Sequence, residues 1–164
     1  MAIIIVLAGL IIGTSGYVQK KGARSRAEAE IAAISAALES YKTDNGVYPR
    51  EASSTDTLNA RTSVDPTSYG SASLFLYRSL SGTDASGAPV PGAKSYFSFK
   101  PQMQSGTRGA NGNVTTVTGV KDPFGNHYGY STANQANSAN GYNPTFDLWS
   151  TANSPNAAQW IKNW

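Results

Sequence analysis

The sequence predicts an α+β chain: one long N-terminal helix, apolar in its first half, packed on a small antiparallel β-sheet of 3–4 strands with long loops. Three observations predict it. A helical pattern runs from an uncharged start, residues 1–12, to a stop at Asp44-Asn45-Gly46. Short alternating segments all follow that stop. Helix first and strands afterwards is the order of a segregated α+β chain, not of a parallel sheet. The expected division is 1–22 for an apolar membrane or filament-core half of the helix, 23–45 for its amphipathic half, and 46–164 for a globular head.

Residues 23–42 hold seven Ala and three Glu, strong helix formers. Ile31, Ile34, Leu38 and Tyr41 fall on one stripe at helical period, the face expected to pack on the head. Arg24–Glu28 and Arg26–Glu30 are i,i+4 pairs on other faces, each contributing a few tenths of a kcal/mol. Gly46 supplies a left-handed cap. A helix from residue 2 to 44 is roughly 65 Å long at ~1.5 Å per residue. A head of ~120 residues has a radius of gyration of about 14 Å, so half of that helix must bury against lipid or other subunits.

In the head, residues 71–80 read as a short amphipathic helix through Leu74, Phe75, Tyr77 and Leu80. Residues 95–100 alternate Tyr96, Ser98 and Lys100 against Phe97 and Phe99, which reads as a strand. Residues 104–113 read as a glycine-rich loop and 114–120 as a second strand. Asp122-Pro123-Phe124-Gly125 is a type I turn signal, Asp at the first position and Pro at the second, with 127–131 pairing back as a hairpin. Residues 132–143 read as an Asn/Ala/Ser-rich loop, 146–150 as the last strand and 157–164 as a short tail.

Composition narrows function. Only 14% of residues are charged, and four basic side chains (Lys20, Lys21, Arg24, Arg26) directly follow the oily run. The remainder is near neutral, so nucleic acid is not an expected partner. Cysteine is absent, which removes disulfides, thiolate metal sites and thiol nucleophiles. His127 is the single histidine and sits beside a turn. Asp122 reads as the first residue of that turn and Asp147 as a hydrogen-bond acceptor beside a loop, rather than as an acid–base pair. Nucleophile elbow, phosphate loop and zinc spacing are all missing, so the expectation is a non-enzyme without cofactor.

The oily run is too short to span ~30 Å of hydrocarbon, which takes ~20 apolar residues. A signal peptide would carry a basic n-region, which this run lacks. The remaining reading is an anchor whose first residues precede Met1. The basic cluster behind it conflicts with a head outside the cytoplasm, since positive flanks usually stay inside. A basic leader upstream would relieve that conflict.

Three segments resemble the type IV pilin-like family, most closely the major pseudopilin of type II secretion systems. One is Tyr41-Lys42-Thr43-Asp44-Asn45-Gly46-Val47-Tyr48-Pro49, entered from the apolar helix. Another is Lys121-Asp122-Pro123-Phe124-Gly125-Asn126-His127-Tyr128. The third is Phe146-Asp147-Leu148-Trp149-Ser150 with the closing Ile161-Lys162-Asn163-Trp164. The resemblance implies a structural subunit of a helical filament, polymerised through its N-terminal helix, in the pseudopilus of a type II secretion system. A type IV pilus-like surface fibre is the alternative within that class. A membrane-tethered domain binding a glycan through loops 104–113 and 132–143 is the alternative from another class. Implied partners are copies of the chain, the inner-membrane assembly platform, the prepilin peptidase and, before assembly, membrane lipid. The implied place is the bacterial inner membrane with the head in the periplasm, then a periplasmic or extracellular filament.

Aligned on the Tyr41 string, Met1 falls about nine residues inside a typical mature chain, past the family's leader, methylated first residue and early glutamate. The expected filament core is Ile3, Ile4, Val6, Leu7, Leu10 and Ile11. Gly13 stands where the family has a helix-loosening proline, and Gly13 and Gly16 are expected to loosen the helix in its stead, each costing ~1 kcal/mol of helix relative to Ala. The family's major pseudopilin usually holds calcium in an acidic loop after its Phe-Asp-x-x-Ser strand. Here Asp147 and Asn153 are the available candidates, and Asn153 stands where a carboxylate is expected. Calcium takes 6–8 oxygens, several of them from carboxylates.

Overall fold

A computed structural model describes the backbone from Ala2 and the side chains of residues 16–164. Helix α1 spans Ala2–Asn45. It stops because Gly46 turns left-handed (φ 77°) and returns its N–H to Lys42 O at 2.7 Å. Asn45 Nδ2 ties the last turn, donating to Tyr41 O at 2.8 Å and to the Tyr96 hydroxyl at 3.0 Å. Residues 16–22 are exposed on every side. Burial against the head begins at Ala23, and from there Ala27, Ile31, Ile34, Ala37 and Leu38 are buried while Tyr41 is half-buried.

Helix α2 spans Gly70–Ser81, entered from a 3-10 turn (Pro66–Tyr69) whose Asp65 caps Thr67 N. Strands β1 (Gln104–Arg108) and β2 (Val114–Val120) form an antiparallel hairpin with register shifts after Ser105 and Thr107. β3 (Gly129–Ser131), β4 (Asp147–Ser150) and β5 (Ile161–Lys162) form a second antiparallel sheet in that order. A single helical turn, α3 (Ala133–Ala136), follows β3.

The architecture is α+β with a long N-terminal helix and small antiparallel sheets, consistent with the fold that the resemblance implies. Its details correct the sequence reading in four places. The single sheet of 3–4 strands is two sheets, of two and three strands. Residues 95–100 form no ladder: Tyr96 N and Phe97 N both donate to Leu80 O, at 2.7 and 2.9 Å, so the segment closes the end of α2. The glycine-rich stretch expected to be loop begins as β1. The return after the Asp122 turn stays with β2 only through the Lys121–His127 bridge and Tyr128 N to Val120 O (2.9 Å), and β3 then pairs with β4.

Two cores result from the alternation of strand side chains. Leu148 and Ile161 face α1 and join Ile31, Ile34, Leu38, Leu76, Leu80, Val120, Tyr128 and Tyr130. Trp149 and Trp160 face away and join Leu58, Tyr69 and Ala72. All four residues of β4 are therefore buried.

Candidate functional site

Two surfaces on α1 and beside it carry the chemistry. The first is the helix outside the head. Tyr17 and Val18 are 71% and 65% exposed, large apolar side chains held in water on a regular helix. Gly16 lies within the continuous helix. Ile3, Ile4, Val6, Leu7, Leu10, Ile11 and Gly13, the rest of the expected core and loosening set, lie outside the residues whose side chains are described. Among the described residues no helix is long and apolar enough to cross a membrane. Below Tyr17 the basic side chains begin. Arg24 pairs with Glu28 at 3.9 Å and reaches Gln159 O at 2.7 Å; Arg26 pairs with Glu30 at 3.5 Å. Glu30 also accepts from the buried Tyr128 hydroxyl at 2.7 Å, fastening helix to head. Burial and the Glu30 carboxylate both push the Tyr128 phenol far up, so it stays a donor.

The second surface joins the Asp122 turn to the loop after β4. Asp122, Pro123 and Gly125 close the turn, with Gly125 N on Asp122 O at 3.0 Å. The Asp122 carboxylate is buried. One oxygen accepts from Phe124 N and Asn126 N, each at 2.9 Å, and the other from the Ser150 hydroxyl. Burial raises its pKa, and the hydrogen bonds from Ser150, Asn126, Phe124 and Gly125 oppose that rise. Ser150 Oγ in turn accepts from Ala152 N at 3.0 Å. Asn126 Nδ2 donates to Asn153 Oδ1 at 2.6 Å and makes a longer contact with Thr151 Oγ1 at 3.4 Å.

Tested against calcium, this donor set does not fit. The two candidate residues are committed to different partners. Asp147, buried in β4, accepts from Tyr142 N and Asn143 N, both at 2.8 Å, which closes the 141–147 turn. Asn153 is held on the other loop by Asn126. The two candidates that the sequence offered together are held apart: β4 fixes the Asp147 carboxylate on one turn, and the Asn153 amide sits beyond the opposite end of the strand. Among the described residues no group of three or more His, Cys, Asp or Glu gathers as a metal site.

His127 is half-buried against Gly70 and Gly119, and burial lowers its pKa while Asp122 raises it. Ser73, near the same glycine, has its hydroxyl bound between Val120 O (3.0 Å) and Val120 N (2.8 Å). The Asn-rich loop 132–143 satisfies itself: Asn140 accepts from Asn59 Nδ2 at 3.1 Å, Asn137 Oδ1 accepts from Ala139 N at 3.0 Å, and Gln135 Nε2 donates to Thr145 O. Sequence reasoning passed over Asn126. The signal available was its place inside the Asp122–Tyr128 motif, opposite a loop that lacks acids.

Comparison with known proteins is consistent with this fold. Residues 16–90, from the outer part of α1 through α2, match the family described as Type II secretion system (T2SS), protein G. No curated protein matches the chain, and no solved structure matches it. Over residues 16–90 the chain is similar to the pilin-like proteins, and close to the major pseudopilin of type II secretion systems.

Proposed function

We propose that the chain is a structural subunit that polymerises through its N-terminal helix into the pseudopilus of a type II secretion system. The observation that carries this reading is the outer helix: α1 spans Ala2–Asn45, and among its described residues, 16–22 are exposed, with burial against the head starting at Ala23. Residues 2–22 amount to ~30 Å of helix at ~1.5 Å per residue, of which the described part, 16–22, is exposed. Residues 1–22 would anchor the subunit in the inner membrane. Residues 23–45 would couple that anchor to the head, 46–164, in the periplasm. Extraction by the assembly platform would exchange lipid for identical helices of neighbouring copies. Gly13 and Gly16 would let the helix loosen there. At ~25 cal/mol per Å² of apolar area, Ile3, Ile4, Val6, Leu7, Leu10 and Ile11 would dominate cohesion. A head-to-tail contact that does not close propagates as an open helix.

Ile4→Asp and Leu7→Asp test it in cells that express the secretion system. The heads are expected to keep the wild-type melting temperature, while electron microscopy finds no filaments. Intact filaments from both variants would overturn the proposal.

A further inference from the structure

We propose that the side-chain amide of Asn126 does in this chain what calcium does in related pseudopilins, gathering the oxygens of the loop after β4, so that the head needs no divalent cation. The loop needs something to hold it. It bends through Ala152 (φ 50°) and Asn153 (φ 57°), two consecutive non-glycine residues in the left-handed region, and closes with Ser154 N on Thr151 O at 2.8 Å. Left-handed backbone is unfavourable for an L-residue with a Cβ, and alanine has no side chain to hydrogen-bond locally in compensation.

A dication would hold such a loop by collecting lone pairs from several oxygens. Asn126 Nδ2 carries two N–H groups and does the same at smaller scale, with Asn153 Oδ1 at 2.6 Å and Thr151 Oγ1 at 3.4 Å. Its backbone is fixed by the Asp122 carboxylate, which also holds Ser150. Asp122 is the carboxylate that meets this junction, and both of its oxygens are already engaged inside the head. The field on the other side is positive. Lys20 and Arg24 of α1 line the groove that Asn153 and Ser154 face, and Arg24 is fastened there through Gln159 O at 2.7 Å. Two cationic side chains, one of them (Arg24) fastened in place, beside neutral amide and hydroxyl oxygens disfavour a dication and leave a neutral donor as the matching group. The loop's far side is closed by Trp160 Nε1 on Ser154 O at 2.9 Å. This inference rests on the residues of the junction and does not depend on polymerisation.

The test is thermal unfolding of the full chain in detergent, in millimolar calcium and in excess EDTA, with limited proteolysis across 150–156 as a second readout. The wild-type melting temperature is expected to be the same in both conditions. A ligand that binds only the folded state would raise it, so a rise of several degrees in calcium overturns the proposal. Asn126→Ala is expected to lower the melting temperature by about 3–6 °C in both conditions and to open 150–156 to protease. An unchanged melt and unchanged cleavage overturn the proposal. Asn126→Asp removes the donors and adds a carboxylate facing Asn153 Oδ1; it is expected to melt lower in EDTA and to recover part of the loss in calcium. Should Asn126→Ala fail to fold, Asn153→Ala, which removes the acceptor, gives the same readings.

Discussion

Replacing Gly129 by alanine places a methyl carbon 2.2 Å from Cε2 and 2.3 Å from Cζ2 of Trp149. Unbonded carbons normally approach no closer than about 3.5 Å, so more than 1 Å of overlap must be relieved. The backbone at Gly129 is ordinary strand, and the penalty is therefore purely steric. The indole has nowhere to go. Trp149 is 0% exposed, with Tyr69 edge-on at 5.2 Å, Trp160 stacked at 6.3 Å and Trp164 edge-on at 5.9 Å. Gly129 pairs directly with Trp149 across the β3–β4 ladder, and the neighbouring Tyr130–Leu148 pair fixes that register. Relief must come from opening the ladder or displacing the aromatic cluster. Overpacking of this kind costs about 1–3 kcal/mol, and the closed surroundings put Gly129→Ala near 3 kcal/mol. The reduced backbone freedom of an unfolded alanine chain offsets only ~0.4–1 kcal/mol. The net cost of about 2–2.6 kcal/mol should lower the melting temperature by about 4–10 °C for a chain of this size. Guanidinium and thermal unfolding of the wild type, Gly129→Ala, Trp149→Phe and the double variant measure it. Trp149→Phe removes the outer ring that collides, so Gly129→Ala should cost at least ~1 kcal/mol less in that background. A cost below ~0.5 kcal/mol, or the same cost in both backgrounds, would refute the steric argument.

Two further perturbations read single contacts. Tyr130→Phe strips the donor from Pro49 O, bound at 2.6 Å in the core, and should cost about 1–3 kcal/mol by denaturant unfolding because the buried carbonyl is left unpaired; a neutral result would mean that water replaces the hydroxyl. Asp122→Asn reads a pH dependence. Burial raises the Asp122 pKa above its ordinary 3.8, so the folded state prefers the protonated acid. That contribution is complete below the unfolded pKa and is lost as pH rises through the raised one. Asp147 shifts the same way but is common to both chains and cancels. Wild type should therefore lose ground against Asp122→Asn between pH 3 and 7 in paired thermal melts. A wild type that gains on the variant over that range would show that the hydrogen bonds to the carboxylate outweigh its burial.

The long helix was legible because Ile31, Ile34 and Leu38 repeat at helical period and Gly46 ends the pattern with a left-handed cap. The Asp122 turn was legible because Asp and Pro hold fixed places in such turns. Residues 95–100 misled because alternation reports two differing faces, not a ladder partner. Here the two faces are made by Phe99 in the core and Ser98 and Lys100 in solvent, while the backbone bonds go to the end of a helix. β1 was hidden for the opposite reason: two register shifts within five residues break the alternation that would have revealed it. The hydrogen-bonded junction of Asn126 with 150–154 was illegible as a whole. An asparagine that receives an incoming loop and one that merely faces water look alike until the distant segment arrives.

The order in which the second sheet is made has a consequence for biogenesis. β4 lies between β3 and β5, and β5 is the last of the three along the chain. Asn163 completes the junction, accepting from Leu148 N at 2.8 Å and donating to Phe146 O at 3.2 Å. A ribosome or translocon releases the polypeptide N-terminus first, so α1 is available long before residues 161–163 emerge. Until they do, one edge of β4 stays open and Trp149 lacks the Trp160 ring that stacks on it. The second sheet can therefore close only after the last residues of the chain are free. A nascent chain stalled before Ile161 would present an unpaired strand edge to chaperones or to its own copies.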